Sequence, residues 1–275
     1  MTDDKRDFVK RMFSKSVMKQ AKYDRVVDLL GATDGLTCLD LGGDNGVISL
    51  LLRERGGTWY SADLSPETVA SISSVVGERV FQVDPTHTPF DDGQFDRVVV
   101  VDLLEHVTED REFVADLRRV IRDDGALIVN VPHVKPWSIL NRLRHALGQT
   151  DERHGHVRPG YSVETLRRTL SPWFTIREVK TYSRLFSELV DTAMRFAVDR
   201  VKGHKAGDGD QPHKGNIVTQ EDVQKSGGGF GLISLTYPLV KVFCRLDHLL
   251  FLQQGYKLIV RAEVNAATGP GEDRR

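Results

Sequence analysis

The stretch Thr37–Gly46, TCLDLGGDNG, constrains this chain more than any other. Thr37, Cys38 and Leu39 have strand character and lead to an acid, Asp40; the chain then breaks into Gly42-Gly43-Asp44-Asn45-Gly46. Directly after comes an apolar run suited to a helix, Val47–Arg53. Strand, glycine-rich turn and helix in that order make a backbone cradle for a nucleotide-like ligand. Glycine lets the main chain approach the ligand closely, and the first N–H groups of a helix have no intrahelical partner. The G-x-G-x-x-G signature is absent as such, and Asp44 would repel a pyrophosphate, so a dinucleotide is disfavoured.

The next segments repeat the same grammar. Thr58–Asp63 reads as a second strand, again ending in an acid, and Asp63 lies about 20 residues past the loop, where an acid reaches ribose hydroxyls in nucleotide-binding α/β folds. Ser65-Pro66-Glu67 starts a helix, with Pro66 suited to its first position. Val80–Asp84 reads as a third strand ending in a third acid. Three consecutive strands that each end in Asp are the chain's most informative regularity, because ligands bind beyond the carboxyl ends of strands in open α/β sheets. Arg97–Val101 is a continuous apolar run suited to a strand buried on both faces. A helix over 109–121, closed by Asp124-Gly125, and a fifth strand, Ala126–Val131, follow. Alternating strands and helices predict a parallel sheet with right-handed crossovers.

Composition narrows the class. With 275 residues, 40% hydrophobic and 28% charged, the chain reads as one generous soluble domain or a domain with a large insertion. A net charge of -1 gives no reason to expect nucleic acid as a partner. Two cysteines, Cys38 and Cys244, make neither a disulfide framework nor a metal cluster, so a cytoplasmic setting is the default. The charged start, MTDDKRDFVKRMF, lacks the apolar centre of a signal peptide, and no run suits a membrane-spanning helix. Residues 1–30 read as helix, with Phe8, Met12, Val26, Val27, Leu29 and Leu30 among many basic residues. Either the helix forms a lid over the sheet or the cofactor mouth, or it lies on a membrane surface.

In order, LDLGGDNG, SADLSPE, VDPTHTPFDDGQFDRV, VVDLLEHV and LRRVIRDDGALIVNVP make the chain resemble the class I S-adenosylmethionine-dependent methyltransferases, over roughly residues 35–182. More narrowly, it resembles the small-molecule and quinone-precursor branch. The resemblance implies a Rossmann-like, doubly wound, seven-stranded and mostly parallel sheet whose last strand is antiparallel. S-adenosylmethionine is the implied cofactor. Asp40 with the loop Gly42, Gly43, Asp44 and Gly46 would surround its methionine part. Asp63 would bind both ribose hydroxyls and Leu64 would cover the adenine. Asp84 and Pro85 would sit at the adenine edge, with Asp102 and Leu103 lining the pocket. Asp44 stands where the family's loop has its middle glycine, which leaves a non-catalytic cofactor-binding protein open.

Methyl transfer needs an oriented acceptor and, for a hydroxyl, a base. Candidates are His106 in LLEHV, His133 in NVPH, and His154, His156 and Tyr161 in the polar stretch before the helix Ser162–Leu170. Asp102-x-x-Glu105-His106 resembles the pattern of metal-dependent quinone-pathway members, but LEHV also occurs in metal-free relatives, and no metal is assigned.

Phe174–Thr181 reads as strand six and Tyr256–Val264 as the closing strand. The domain plan is therefore a helical lid (1–30), a core (31–184), a helical insertion (185–255) with a mobile loop (203–229), a closing strand (256–264) and a tail (265–275). So long a connection is expected to carry function. Leu185, Phe186, Leu189, Val190, Ala193, Met194, Ala197 and Val201 form an amphipathic stripe, and Phe230–Leu252 is strongly apolar. A cap over the acceptor pocket, a homodimer surface and a membrane-facing element stay open. The expected reaction is O-methylation of a small-molecule, glycan-type or lipid-linked acceptor, in the cytoplasm or peripherally on the inner face of a membrane.

Overall fold

A computed structural model of the chain describes residues 2–135, 157–201 and 229–265. The strands β1 (Thr37–Leu41), β2 (Thr58–Asp63), β3 (Val80–Gln82), β4 (Phe95–Val101), β5 (Ile121–Pro132), β6 (Phe174–Tyr182) and β7 (Lys257–Val264) form one sheet, ordered β3-β2-β1-β4-β5-β7-β6. Neighbours from β3 to β5 pair in parallel, and β7 runs antiparallel to both β5 and β6. This is the doubly wound, mostly parallel sheet that the alternating pattern predicts.

The helices are α1 (Thr2–Ser14), α2 (Val17–Leu30), α3 (Val47–Arg53), α4 (Pro66–Val76), α5 (Asp110–Val120), α6 (Val163–Leu170), α7 (Leu185–Val201) and α8 (Gly229–Arg245). Successive strand residues point to opposite faces, so an unbroken apolar run feeds two cores. Val98 and Val100 of β4 pack with Phe113 and Leu117 of α5 and Leu166 of α6 on one face. Val99 and Val101 pack with Leu29 of α2, Leu52 of α3 and Ile72 of α4 on the other.

Three local readings change. The single helix expected over 1–30 is two, broken at Lys15–Ser16. Ser16 is extended (φ -116, ψ 99) and its hydroxyl accepts from the Lys19 N–H at 3.3 Å, so it starts a new helix rather than continuing the old one. The fifth strand begins at Ile121 rather than Ala126. Ile121 pairs with Phe95 before the register shifts, so Asp124-Gly125 lies within an irregular strand and does not close the helix. The third strand ends at Gln82, and Asp84 lies beyond it in an isolated bridge with His87.

Between β6 and β7 the described parts are α7, α8 and a 3-10 turn, Leu246–Leu250. Asp247 in that turn accepts from the backbone N–H groups of Arg184 (2.7 Å) and Phe186 (2.9 Å). It thus satisfies donors at the start of α7 that the helix leaves over. Phe186 and Phe243 meet edge to face at 5.1 Å. The loop expected over 203–229 lies outside the described residues save Gly229, the first residue of α8, and the tail beyond Asn265 lies wholly outside them.

Candidate functional site

Strand order reverses between β1 and β4, and the crevice beyond their carboxyl ends is where such sheets take ligands. The glycine loop crosses it. Gly42 has φ +92, and a side-chain methyl there would sit 2.0 Å from the Val101 carbonyl oxygen, so only glycine lets the loop lie against β4. Gly43 follows, and Gly46, at φ +79, precedes the first turn of α3. Asp40 supports this loop from behind. It is buried, and its carboxylate accepts from the hydroxyls of Ser49 on α3 (2.5 Å) and Ser61 on β2 (2.7 Å). Burial outweighs these bonds and raises the carboxyl above its usual range.

Asp44 does not fill the loop. Its backbone is left-handed (φ +50), a conformation Asp tolerates, and its carboxylate pairs with Lys19 of α2 at 2.8 Å. Asp102, immediately after β4, is also left-handed (φ +44). It forms an ion pair with Lys22, one helical turn beyond Lys19, and accepts from Asn130 Nδ2 at 2.9 Å. Tyr182 in turn donates to Asn130 Oδ1 at 2.7 Å. Burial alone would lower the Lys22 ammonium, but Asp102, with Asp44 and Glu105, outweighs it and holds the group above its ordinary value. Two lysines of the N-terminal helices thus reach the rim of the crevice. From the sequence Lys19 counts only among the crowded basic residues of the N-terminal helix, and Lys22 is passed over. Their three-residue spacing, which puts both on one helical face, is the signal that could have found them.

Lys22→Met is expected to destabilise the fold by about 2 kcal/mol, the scale of one charged hydrogen bond plus the carboxylate left behind. Lys22→Met combined with Asp102→Asn should recover part of that loss, since the uncompensated charge is then gone. Urea unfolding midpoints decide it, and strictly additive losses would refute the coupling.

The second wall lies past β2. Asp63 ends that strand, fully buried, with Oδ1 accepting from the Ser65 N–H at 3.1 Å. Leu64, Gln82, Val83, Asp84 and Pro85 line a 410 Å³ cleft beside it. Asp84 accepts from both the N–H (2.8 Å) and the hydroxyl (2.5 Å) of Thr86, and these bonds hold it below the usual carboxylate range. Leu64, Asp84 and Pro85 therefore come together at one cleft.

The acceptor-side candidates separate. His106 is half-buried in the turn Leu104–His106, while Leu103, read from the sequence as lining the cofactor pocket, is fully buried just before that turn. His133, at the end of β5, is buried. Its Nδ1 lies 2.9 Å from the Gly255 carbonyl, which accepts only, so the proton sits on Nδ1 and Nε2 is the basic nitrogen. Burial lowers this imidazole below its ordinary value and keeps it neutral. Tyr161 bridges to His133 in the backbone, but its hydroxyl donates to Asp110 (2.7 Å) and is buried. Burial and Asp110 raise that phenol far above its normal range, so it anchors the chain rather than titrating. His154 and His156 lie outside the described residues. Among the described residues no cluster of three or more His, Cys, Asp or Glu is arranged to hold a metal. Both cysteines are buried, which pushes the Cys38 thiol up to about 12 and makes it a poor nucleophile.

Residues 39–129 match the family described as "Methyltransferase domain". A curated relative, the demethylmenaquinone methyltransferase of Beutenbergia cavernae, is 33% identical over 118 residues, which is 42% of this chain and 49% of the relative. The chain thus spans about half the length of the curated relative it matches. Among solved structures it resembles an S-adenosylmethionine-dependent methyltransferase from Mesorhizobium loti (TM-score 0.54, 15% identity, 89% of this chain and 98% of that one). It also resembles the [4+2]-cyclase SpnF (TM-score 0.57, 17% identity, 89% of this chain and 81% of that one). At such identities the likeness is one of fold. A cyclase beside a methyltransferase shows that the fold alone does not name the reaction. Residues 39–129 thus match a methyltransferase domain, and the sheet order makes the chain similar to the class I S-adenosylmethionine-dependent methyltransferases.

Proposed function

We propose that the chain transfers a methyl group from S-adenosylmethionine to an oxygen of a small-molecule, glycan-type or lipid-linked acceptor. The residues present suit that cofactor: a loop that only Gly42 permits against β4, and an acid, Asp63, beside the cleft lined by Leu64 and Pro85. When bound, the cofactor supplies a methyl group on a sulfonium, already an excellent leaving group. Little is left for the protein beyond positioning and proton removal.

His133 carries the reading of oxygen as the acceptor atom. Its Nδ1–H bond to the Gly255 carbonyl sets the ring, and Nε2 takes the hydroxyl proton as the new bond to oxygen forms. A base is needed for a hydroxyl, whereas an amine attacks through its own lone pair. Because burial favours the neutral ring, the base stays competent below the ordinary histidine value near 6.5.

The acceptor is found by measuring methyl transfer to a panel of lipid extracts, glycans and phenols. The pH profile of kcat/KM then tests the base. Its acid limb should fall below the ordinary histidine range in the wild type. His133→Ala should lower kcat by about 100-fold or more and remove that limb. An unchanged limb in His133→Ala would defeat the assignment. A depressed histidine also binds its proton more readily in the unfolded chain, so its share of stability is present above about pH 6.5 and fades as the pH falls below it.

A quinone-precursor acceptor is the second reading, supported by the name of the curated relative. Phenols in the panel separate the two.

A further inference from the structure

α8 and the turn after it present an apolar surface to solvent. Leu235, Leu239, Val242, Leu246 and Leu249 recur at intervals of four, three, four and three residues, the spacing of one helix side. Leu239 is 74% exposed, Leu249 73% and Leu252 88%. The other side is anchored. Cys244 and Asp247 are buried, and Asp247 holds the start of α7 through its bonds to Arg184 and Phe186. The stripe is therefore displayed on a fixed support rather than on a fraying end.

Its charges have one sign. Between 229 and 254 the single acid is the buried Asp247, whereas Lys241 and Arg245 are both exposed. Lys15 of the segment between α1 and α2 and Lys241 both stand over the Tyr237 ring, at 5.2 and 5.9 Å. Just past Leu252, Arg184 donates to the Gln253 carbonyl at 2.8 Å and Lys135 to that of Gln254. Cations thus border the apolar stripe at its side and at its far end.

We propose that this surface docks on an anionic lipid bilayer, with the leucines in the acyl boundary and the cations among the phosphates. No described helix is long and apolar enough to cross a membrane, so the element would lie in the interface. A second copy fits less well. Self-pairing about a two-fold axis would bring Lys241 and Arg245 towards the same cations, with no exposed acid in 229–254 to answer them. Docking goes beyond the proposed reaction and does not depend on which acceptor is methylated.

The test is co-sedimentation of the full chain with vesicles of phosphatidylcholine alone or mixed with phosphatidylglycerol. Wild type should be retained on the mixed vesicles about tenfold better than on the neutral ones, and less so at high salt. Leu239→Glu with Leu249→Glu, and separately Lys241→Glu with Arg245→Glu, should each lower retention about tenfold while cofactor titration stays unchanged. Failure to bind anionic vesicles, equal retention of wild type and both variants, or no preference between the vesicles overturns the proposal. So does a dimer at equilibrium sedimentation that the leucine variant dissociates, since the stripe would then serve a second copy.

Discussion

Asp63→Asn is expected to weaken S-adenosylmethionine binding by about 10- to 100-fold while the fold survives. A ribose offers two adjacent hydroxyl donors, and a carboxylate accepts from both at once. Asparagine keeps one accepting oxygen and replaces the other by a donor, so one charge-assisted bond, about 1.5–3 kcal/mol, is lost. The retained oxygen can still take the Ser65 N–H that Asp63 Oδ1 accepts at 3.1 Å, so the start of α4 should hold. Asp63→Ala removes both functions from a fully buried position and should also lower the melting temperature. Calorimetric titration with S-adenosylmethionine and its demethylated product, alongside thermal unfolding, separates the effects. Wild-type affinity in Asp63→Asn would leave the residue as a turn acid and return the cofactor reading to open ground.

Gly42→Ala should act on stability and binding together. The added methyl would stand 2.0 Å from the Val101 carbonyl oxygen and 3.1 Å from its carbon, both backbone atoms of a central strand that cannot swing away. The φ of +92 adds the strain of a left-handed backbone carrying a side chain. Overpacking and strain together suggest about 3–5 kcal/mol of destabilisation. For a domain of this size that is roughly a 10 °C fall in melting temperature. If a soluble variant is recovered, the displaced loop should bind cofactor poorly, as titration will show. A variant with wild-type melting and affinity would mean that the loop does not lie against β4.

Much of the architecture was legible because its signals are local. The run Val98–Val101 has no polar face, and a strand of that kind must be covered on both sides. Ser65-Pro66 marks the start of α4, and the Ser65 hydroxyl does accept from the Thr68 N–H. The break at Ser16 was missed because a serine among helix-forming residues reads as a surface position until its cap bond is seen. The start of β5 was missed because Asp124-Gly125 reads as a turn, whereas pairing with β4 keeps the chain extended from Ile121.

For the site the division is sharper. The sequence by itself determined the cradle and placed Asp40 and Asp63 at or next to the carboxyl ends of their strands, whereas Asp84 lies two residues past the end of its strand at Gln82. Those follow from glycine spacing and from strand periodicity, properties of neighbouring residues. Only the tertiary structure decided what each acid faces. Asp40 is turned to Ser49 and Ser61, Asp44 and Asp102 are met by Lys19 and Lys22, and Tyr161 is tied to Asp110. The partners stand between 9 and 80 residues apart in the chain. For Asp40 and Tyr161 burial makes an unpaired charge or hydroxyl expensive, and the fold brings a complementary group to each; the partly exposed Asp44 and Lys19 meet because the fold sets α2 beside the loop.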